Sequence, residues 1–242
     1  MLHNNIPFFI PMKLYSEIIY EDNHIIAVNK NGGVLVQADK TKDSILSDAV
    51  KDYIKVKYNK PGNVYLGTIH RIDRPVSGLI LFGRTSKASA RLSKAFRENK
   101  IHKTYLALVS HKPSEVKGHL QFYLAKDARK NKSFVVNANH PKGKLSELEY
   151  EWLGSKKGMH VLKVKPITGR HHQIRVMLSH IGCVIQGDLK YGAFPANADG
   201  NISLHAYQIS FIHPVQKEKM VLTASLPNTK EWNVFKSSFN LL

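Results

Sequence analysis

Between Gly67 and Gly78 the chain reads GTIHRIDRPVSG, placing His70, Arg71, Asp73 and Arg74 in consecutive reach of one another beside Pro75. A carboxylate set between arginines stays ionised, which suits Asp73 to nucleophilic or electrostatic work and not to donating a proton. The same residues would also serve as a structural ion pair around a turn, and residue types alone leave both readings open. A second run, TGRHHQIRVMLSHIG from Thr168 to Gly182, carries Arg170, His171, His172, Gln173 and Arg175 near an expected helix start, and GDLKYG follows from Gly187 to Gly192. A helix N-terminus with guanidinium groups is a good site for an anion or a carboxylate. Adjacent histidines do not share a helix face and HExxH is absent, which argues against zinc hydrolysis. His172 is conceivable as a general base; its structural alternative is a packed, hydrogen-bonded histidine.

Local sequence patterns supply the elements that must position these groups. From Leu14, EIIYEDNHIIAVNK alternates apolar and polar residues around an Asp22-Asn23 turn and reads as two strands. Asp43-Ser44 is placed to cap a helix whose apolar positions Leu46, Ala49, Val50, Tyr53 and Ile54 fall at helical spacing, with Pro61-Gly62 ending it. Leu79 to Phe82 is a short apolar strand, and Thr85-Ser86 offers an N-cap for a helix to about Asn99. Ile101 to Val109 reads as a strand. Ala125 to Leu145, rich in Lys, Asn and Gly, is expected to be an exposed irregular excursion. Strands follow at Leu148 to Leu153 and Met159 to Val164, then a helix from Gln173 to Ile181 closed by Gly182, then strands at His205 to Phe211 and Val221 to Leu226. Strands and helices interleave without a βαβ rhythm or GxGxxG. The expectation is an α+β fold, one domain over residues 14–242 with a mixed, largely antiparallel sheet and flanking helices around a basic cleft, preceded by an extension at 1–13.

The 242 residues carry 36 Lys and Arg against 18 Asp and Glu, a net charge of +18, which points to a polyanionic partner. One cysteine, Cys183, excludes an intrachain disulfide, and there is no CxxC pair for zinc. No apolar run is long enough to span a bilayer, and the start MLHNNIPFFIP makes a poor signal peptide, so the expected location is cytoplasmic. The charge is concentrated. Arg84, Lys87, Arg91, Lys94, Arg97, Lys100 and Lys103 run with Glu98 as the one acid, and within the helix they recur three or four apart on one face. A merely solvated helix would mix in acids, so contact with a phosphate backbone is the favoured reading. Lys126, Arg129, Lys130, Lys132, Lys142 and Lys144 form a second basic patch, readable as a mobile solvated loop or as a nucleic-acid contact. Neither patch reads base sequence by itself.

HRIDRPVSG resembles the HRLDxxTSG signature of the RluA-type family of RNA pseudouridine synthases. The second run is similar to that family's GRTHQLRVH segment with its trailing GDxxYG. Lys103-Thr104-Tyr105-Leu106-Ala107-Leu108-Val109 matches its KxYxAxV context, and HAYQISFIHP and ASLP resemble its closing strands. The likeness runs from Ser16 to Trp232 with its motifs in order. It implies that Asp73 is the catalytic aspartate, that Tyr105 stacks on the uracil and helps proton removal, and that Arg175 pairs with Asp73. It also puts Arg71 near the extruded nucleotide.

The activity so implied is isomerisation of uridine to pseudouridine in ribosomal or transfer RNA after base flipping, by an intramolecular transfer that conserves atoms and needs no cofactor or metal. His70, Arg74, Arg170, Arg84, Lys87, Arg91, Lys94, Arg97 and Lys103 are the further expected RNA contacts, and a monomer is expected. Several positions depart from the pattern: Ile72 for Leu, Val76 for Thr, His171 for Thr, and Met177 for His. The last removes a polar group expected near the site. The catalytic pattern begins near residue 14, so the family's small S4-type RNA-binding domain is expected to be absent ahead of it. The main rival is a non-catalytic RNA-binding protein on the same fold. A glycosidase would want paired acids, for which Asp188 is the other candidate.

Overall fold

The computed structural model describes residues 15–38 and 43–236, so the extension expected at 1–13 lies outside the described residues. Strands β1 (Tyr15–Glu21) and β2 (Ile25–Lys30) form the expected hairpin, with the amides of His24 and Ile25 both donating to the Asp22 carboxylate in the turn. After them come α1 (Leu46–Lys57), β3 (Gly67–Thr68), β4 (Ser77–Gly83), α2 (Ser86–Arg97) and β5 (His102–Val109). Next are β6 (Lys117–Asp127), β7 (Lys132–Val136), β8 (Lys144–Lys156), β9 (Met159–Pro166), α3 (Gln173–His180) and a 3-10 turn at Leu189–Tyr191. β10 (Leu204–Ile212), β11 (Lys219–Thr223) and α4 (Lys230–Lys236) close the fold. The sheet runs β1-β2-β4-β10-β5-β9-β8-β6-β7, with β3 on β4 and β11 on β10. It is antiparallel except for the β4–β10 pair, the mixed α+β arrangement expected.

Period-two alternation explains why two helices find opposite faces of one pair of strands. Ile26, Val28, Ile80 and Phe82 pack on Leu46, Ala49, Val50 and Ile54 of α1, while Ile25, Ala27, Leu79 and Leu81 pack on Ala88 and Leu92 of α2. β5 divides in the same way. Leu106 and Leu108 meet Trp232 and Phe235 of α4, whereas Ala107 and Val109 meet Ile174 and Met177 of α3. Tyr105, in step with Ala107, is thereby placed on the α3 side. Gly78 admits the one parallel crossing: its φ is +116°, and a Cβ there would lie 2.5 Å from the Ala206 nitrogen.

Several local expectations are corrected. Thr85 does cap α2, accepting from the Ala88 amide, but α1 is preceded by Ile45 with no side-chain cap. The amides of Leu46 and Ser47 instead donate to the carbonyls of Leu35 and Val36, and Asp43 is drawn to Arg74 at 2.9 Å. The helix also stops at Lys57, ahead of Pro61-Gly62. Ala125 to Leu145 is no irregular excursion. β6 and β7 pair from Tyr123–Val136 to Asp127–Lys132, and only the stretch before β8 is loop. Leu226, expected in the last strand, packs against α4 instead. Among the described residues no helix is long and apolar enough to cross a membrane.

Candidate active site

Asp73 lies in the loop between β3 and β4, closed by a turn in which the Val76 amide donates to the Asp73 carbonyl. Beneath it sits Lys30, fully buried, whose Nζ donates to the carbonyls of Asn31 (2.9 Å), Val34 (2.8 Å) and Arg74 (3.1 Å). Burial pushes this ammonium down to about 7, against the opposing pull of Asp73. The bond to Arg74 ties the Asp73 loop to the turn after β2, which the other two hold. Sequence reasoning passed over Lys30, which ends β2 just after Asn29. Arg74 completes the brace outside, donating to the Gly33 carbonyl at 2.9 Å.

Arg175 reaches this loop from 102 positions away, donating from an Nη to Asp73 Oδ2 at 3.0 Å. Its Nε and other Nη form a fork on Asp188, at 2.7 and 2.8 Å. Arg175 is 5% and Asp188 1% exposed, while the Asp73 side chain keeps 29%. Burial works against the Arg175 charge, but the bonds and charges of Asp188 and Asp73 outweigh it and raise its pKa. One guanidinium thus spans a buried carboxylate, Asp188, and a half-open one, Asp73. Asp188, entertained from sequence as a second acid, is the anchor of Arg175, and its place in a glycine-flanked turn after α3 was the clue.

His172 opens α3 in the left-handed region, φ +52°. Its Nδ1 meets the Tyr191 hydroxyl at 2.9 Å, and its Nε2 stands 3.6 Å from Asp73 Oδ2, too far for a hydrogen bond. Burial, and then the Arg175 charge, push its pKa down to about 2, so it is neutral beside Asp73. His171 stacks on it at 3.8 Å. Gln173 ties the approach to α3, accepting from the Thr168 hydroxyl and the Arg170 amide and donating to the Glu147 carbonyl. Met177 is fully buried in the core around α3, so the residue type at that position faces away from the site. Val76 is buried in the same core.

Asp73, Arg74, His171, His172, Gln173 and Arg175 line one cleft of about 950 Å³, which also takes in Tyr105, Arg71, Arg170, Lys103, Phe96 and Lys126. Burial, and then Asp73, push the Tyr105 phenol up, so it stays protonated and offers its ring. Arg71 is exposed at the mouth, and Arg170 donates to the Leu145 carbonyl at 3.2 Å. Lys103 lies over the Phe96 ring at 6.0 Å, its pKa lowered by burial.

Not every expected RNA contact faces this cleft with a free charge. His70 lines it, but its Nε2 accepts the Leu81 amide at 3.0 Å and its ring stacks on Phe96 at 4.8 Å. Burial, and then Lys103, push His70 down to about 3, leaving it uncharged. Arg84 is turned away, paired with Glu21 at 3.0 Å, bonded to the Asp22 carbonyl and lying on the Tyr58 ring. Arg91 donates to the Pro214 carbonyl at 2.7 Å. Lys87, Lys94 and Arg97 stay exposed along α2, with Lys94 3.7 Å from Glu98.

The family model described as RNA pseudouridylate synthase matches residues 24–180. Ribosomal large subunit pseudouridine synthase D of Zymomonas mobilis is 31% identical over 90% of this chain and 71% of its own length. Ribosomal large subunit pseudouridine synthase C of Buchnera aphidicola is 34% identical over 86% and 66%. The tRNA pseudouridine synthase C of Haemophilus ducreyi is 28% identical over 92% and 95%. The chain therefore spans about two thirds of the length of the ribosomal relatives and nearly all of the tRNA one. Among solved structures, human RNA pseudouridylate synthase domain containing 4 shares the fold with a TM-score of 0.74 at 22% identity, over 88% of this chain and 89% of that one.

Proposed function

The chain belongs to the RNA pseudouridylate synthase family, and we propose that it is an RluA-type enzyme that isomerises particular uridines to pseudouridine in structured ribosomal or transfer RNA. The observation that carries this reading is the Asp73–Arg175–Asp188 bridge, set in a basic cleft with the ring of Tyr105. A protein that only binds RNA has no use for a half-open carboxylate facing a polyanion. Here one is built in, braced by Lys30 beneath it and by Arg175 beside it.

The reaction breaks the N1–C1′ bond, turns the uracil and rejoins it through C5. Atoms are conserved and no electrons are transferred to a second molecule, so the chemistry calls for no cofactor. A target base must first leave its stack, which costs a few kcal/mol, and stacking on the Tyr105 ring returns about 1–3 kcal/mol of it. Arg71 at the mouth and the exposed bases of α2 are placed to hold the flanking phosphates. Arg175 holds Asp73 Oδ2 in place, orienting the carboxylate to attack C1′ or to take a ribose proton. The neutral His172 adds no competing positive charge to the carboxylate.

The test is release of tritium from 5-tritiated uridine in ribosomal and transfer RNA transcripts. Wild-type protein is expected to release it, and Asp73→Asn to bind the same RNA with no release. Binding without release by the wild type would overturn the reading in favour of an RNA-binding protein.

A further inference from the structure

We propose that His171 is a positioning residue that clamps the basic β6–β7 hairpin to the wall behind Asp73, so that RNA held by the hairpin is kept in register with the carboxylate. The inference rests on the RNA-modifying role proposed above and adds to it a device made from a residue at which this chain departs from the family pattern.

Both nitrogens of the ring are engaged by the hairpin. His171 Nε2 meets Asn131 Oδ1 at 3.1 Å, and Nδ1 meets Ser133 Oγ at 2.9 Å. An amide oxygen only accepts, so Nε2 carries the proton and Nδ1 is left as the acceptor of the neutral ring. The one Ser133 hydroxyl proton goes either to that nitrogen or to the His171 carbonyl, 2.8 Å away, so Ser133 holds one or the other of these two atoms of His171. Burial, and then the Lys126 charge, lower the His171 pKa, in keeping with a neutral ring. Among the described residues His171 alone grips both side chains. Asn131 has φ +44°, a conformation tolerated in a turn when the side chain has a partner to hold it.

The other face of the ring points into the site. It stacks on His172 at 3.8 Å with 18° between planes, and His172 stands beside Asp73. The hairpin is therefore linked to the carboxylate through two rings in contact. Lys190 and Tyr191 add backbone ties, to the Asn131 carbonyl at 3.0 Å and from the Ser133 amide at 2.9 Å, and so fix the height of the hairpin. The side-chain grip fixes its lean over the cleft, where Lys126 and Asn131 form part of the lining. Exposed Arg129 and Lys130 at the turn extend the positive charge outward from there. A threonine at position 171, as in the motif the segment resembles, has one oxygen and a short stem and cannot hold both partners.

Two measurements decide the matter. The first is hydrogen exchange of the β7 amides in the free protein. His171→Ala and His171→Thr should speed exchange at Phe134 and Val136, whose amides face β6, at least tenfold, with exchange in β9 and the unfolding temperature held near wild type. Unchanged β7 protection would overturn the proposal whether or not the protein modifies RNA. The second is single-turnover tritium release from a uridine-labelled transfer RNA transcript or, if that is not a substrate, from a labelled ribosomal RNA fragment that is. His171→Ala should lower the rate at saturating enzyme about tenfold with Kd changed less than twofold, and His171→Gln, which keeps a donor for Asn131, should recover part of it. An equal loss in Kd and none in rate would also overturn the proposal, since His171 would then only bind RNA. Should wild-type protein release no tritium from any transcript, the family reading fails in this chain while the exchange result still decides the clamp. If His171→Ala does not fold, Asn131→Ala removes the same hydrogen bond from the hairpin side and is held to the same outcomes.

Discussion

Replacing Asp188 by Asn keeps its size and removes its charge, and the consequences can be worked from the geometry. Asp188 receives two charge-assisted hydrogen bonds from Arg175, at 2.7 and 2.8 Å, with both side chains at or below 5% exposure. Breaking a buried pair by removing one partner costs about 3–5 kcal/mol. An asparagine oxygen still accepts one of the bonds and Asp73 still balances part of the charge, so about 2–3 kcal/mol is expected. In a domain of this size that lowers the unfolding temperature by roughly 5–10 °C.

The effect on chemistry is separate. With one of its two anchoring bonds lost, Arg175 has a donor free to turn onto Asp73. One more charged hydrogen bond on that carboxylate is worth about 1.5–3 kcal/mol, which at 1.4 kcal/mol per decade means a turnover roughly ten- to a hundredfold slower. RNA affinity should hardly move, because Asp188 is sealed beneath the site. The assays are thermal unfolding and single-turnover tritium release, run on the same preparation. A lower unfolding temperature with unchanged turnover would refute the reasoning, since Asp188 would then support the fold without orienting the site.

Neutralising Arg91, Lys94 and Arg97 to Gln should weaken RNA binding and reduce the slope of log K against log salt by about 1–2, the smaller value if Arg91 stays on Pro214; an unchanged slope puts the RNA on another face. His205, fully buried and pushed down by burial to about 4, and His172, at about 2, are neutral in the native protein but protonate near pH 6.5 when it unfolds. The unfolded state therefore binds more protons below pH 6.5, stability is whole above that value, and it falls as the pH is lowered toward 4, by on the order of 2 kcal/mol per histidine at pH 5. Urea unfolding at pH 7 and pH 5 checks this, and equal midpoints would contradict it. Gly78→Ala should cost about 3 kcal/mol or more, from the strained φ and the clash with the Ala206 backbone, measured as the unfolding midpoint; a loss under 1 kcal/mol would show that the β4–β10 crossing can relax.

What the residues alone determined was local or carried in compact motifs. The cap and apolar spacing of α2 located that helix to within a residue or two, because capping and i, i+4 packing involve neighbours in the chain. The alternation of β1 and β2 and the apolar run of β4 did the same for the centre of the sheet. The motif around Asp73 and the one around Arg175 named both partners of the ion pair before any distance was known.

What only the tertiary structure decided was the fate of each charge and of segments whose partners are remote. Arg84 and Arg97 read alike as members of one basic run, yet one is paired with Glu21, 63 positions away, and the other is left in water. His70 reads as part of a charged cluster and is in fact an uncharged acceptor for a strand amide. Ala125 to Leu145 looked irregular because many of its lysines and asparagines fall in the β6–β7 turn and the loop before β8, while its apolar residues are matched across two strands. Lys30 gave almost no signal and Asp188 only its place in a glycine-flanked turn, since their importance comes from what folding buries beside them. Burial and pairing are set by contacts distant in sequence, and they decide which of many similar side chains stays charged, stays open and faces the cleft.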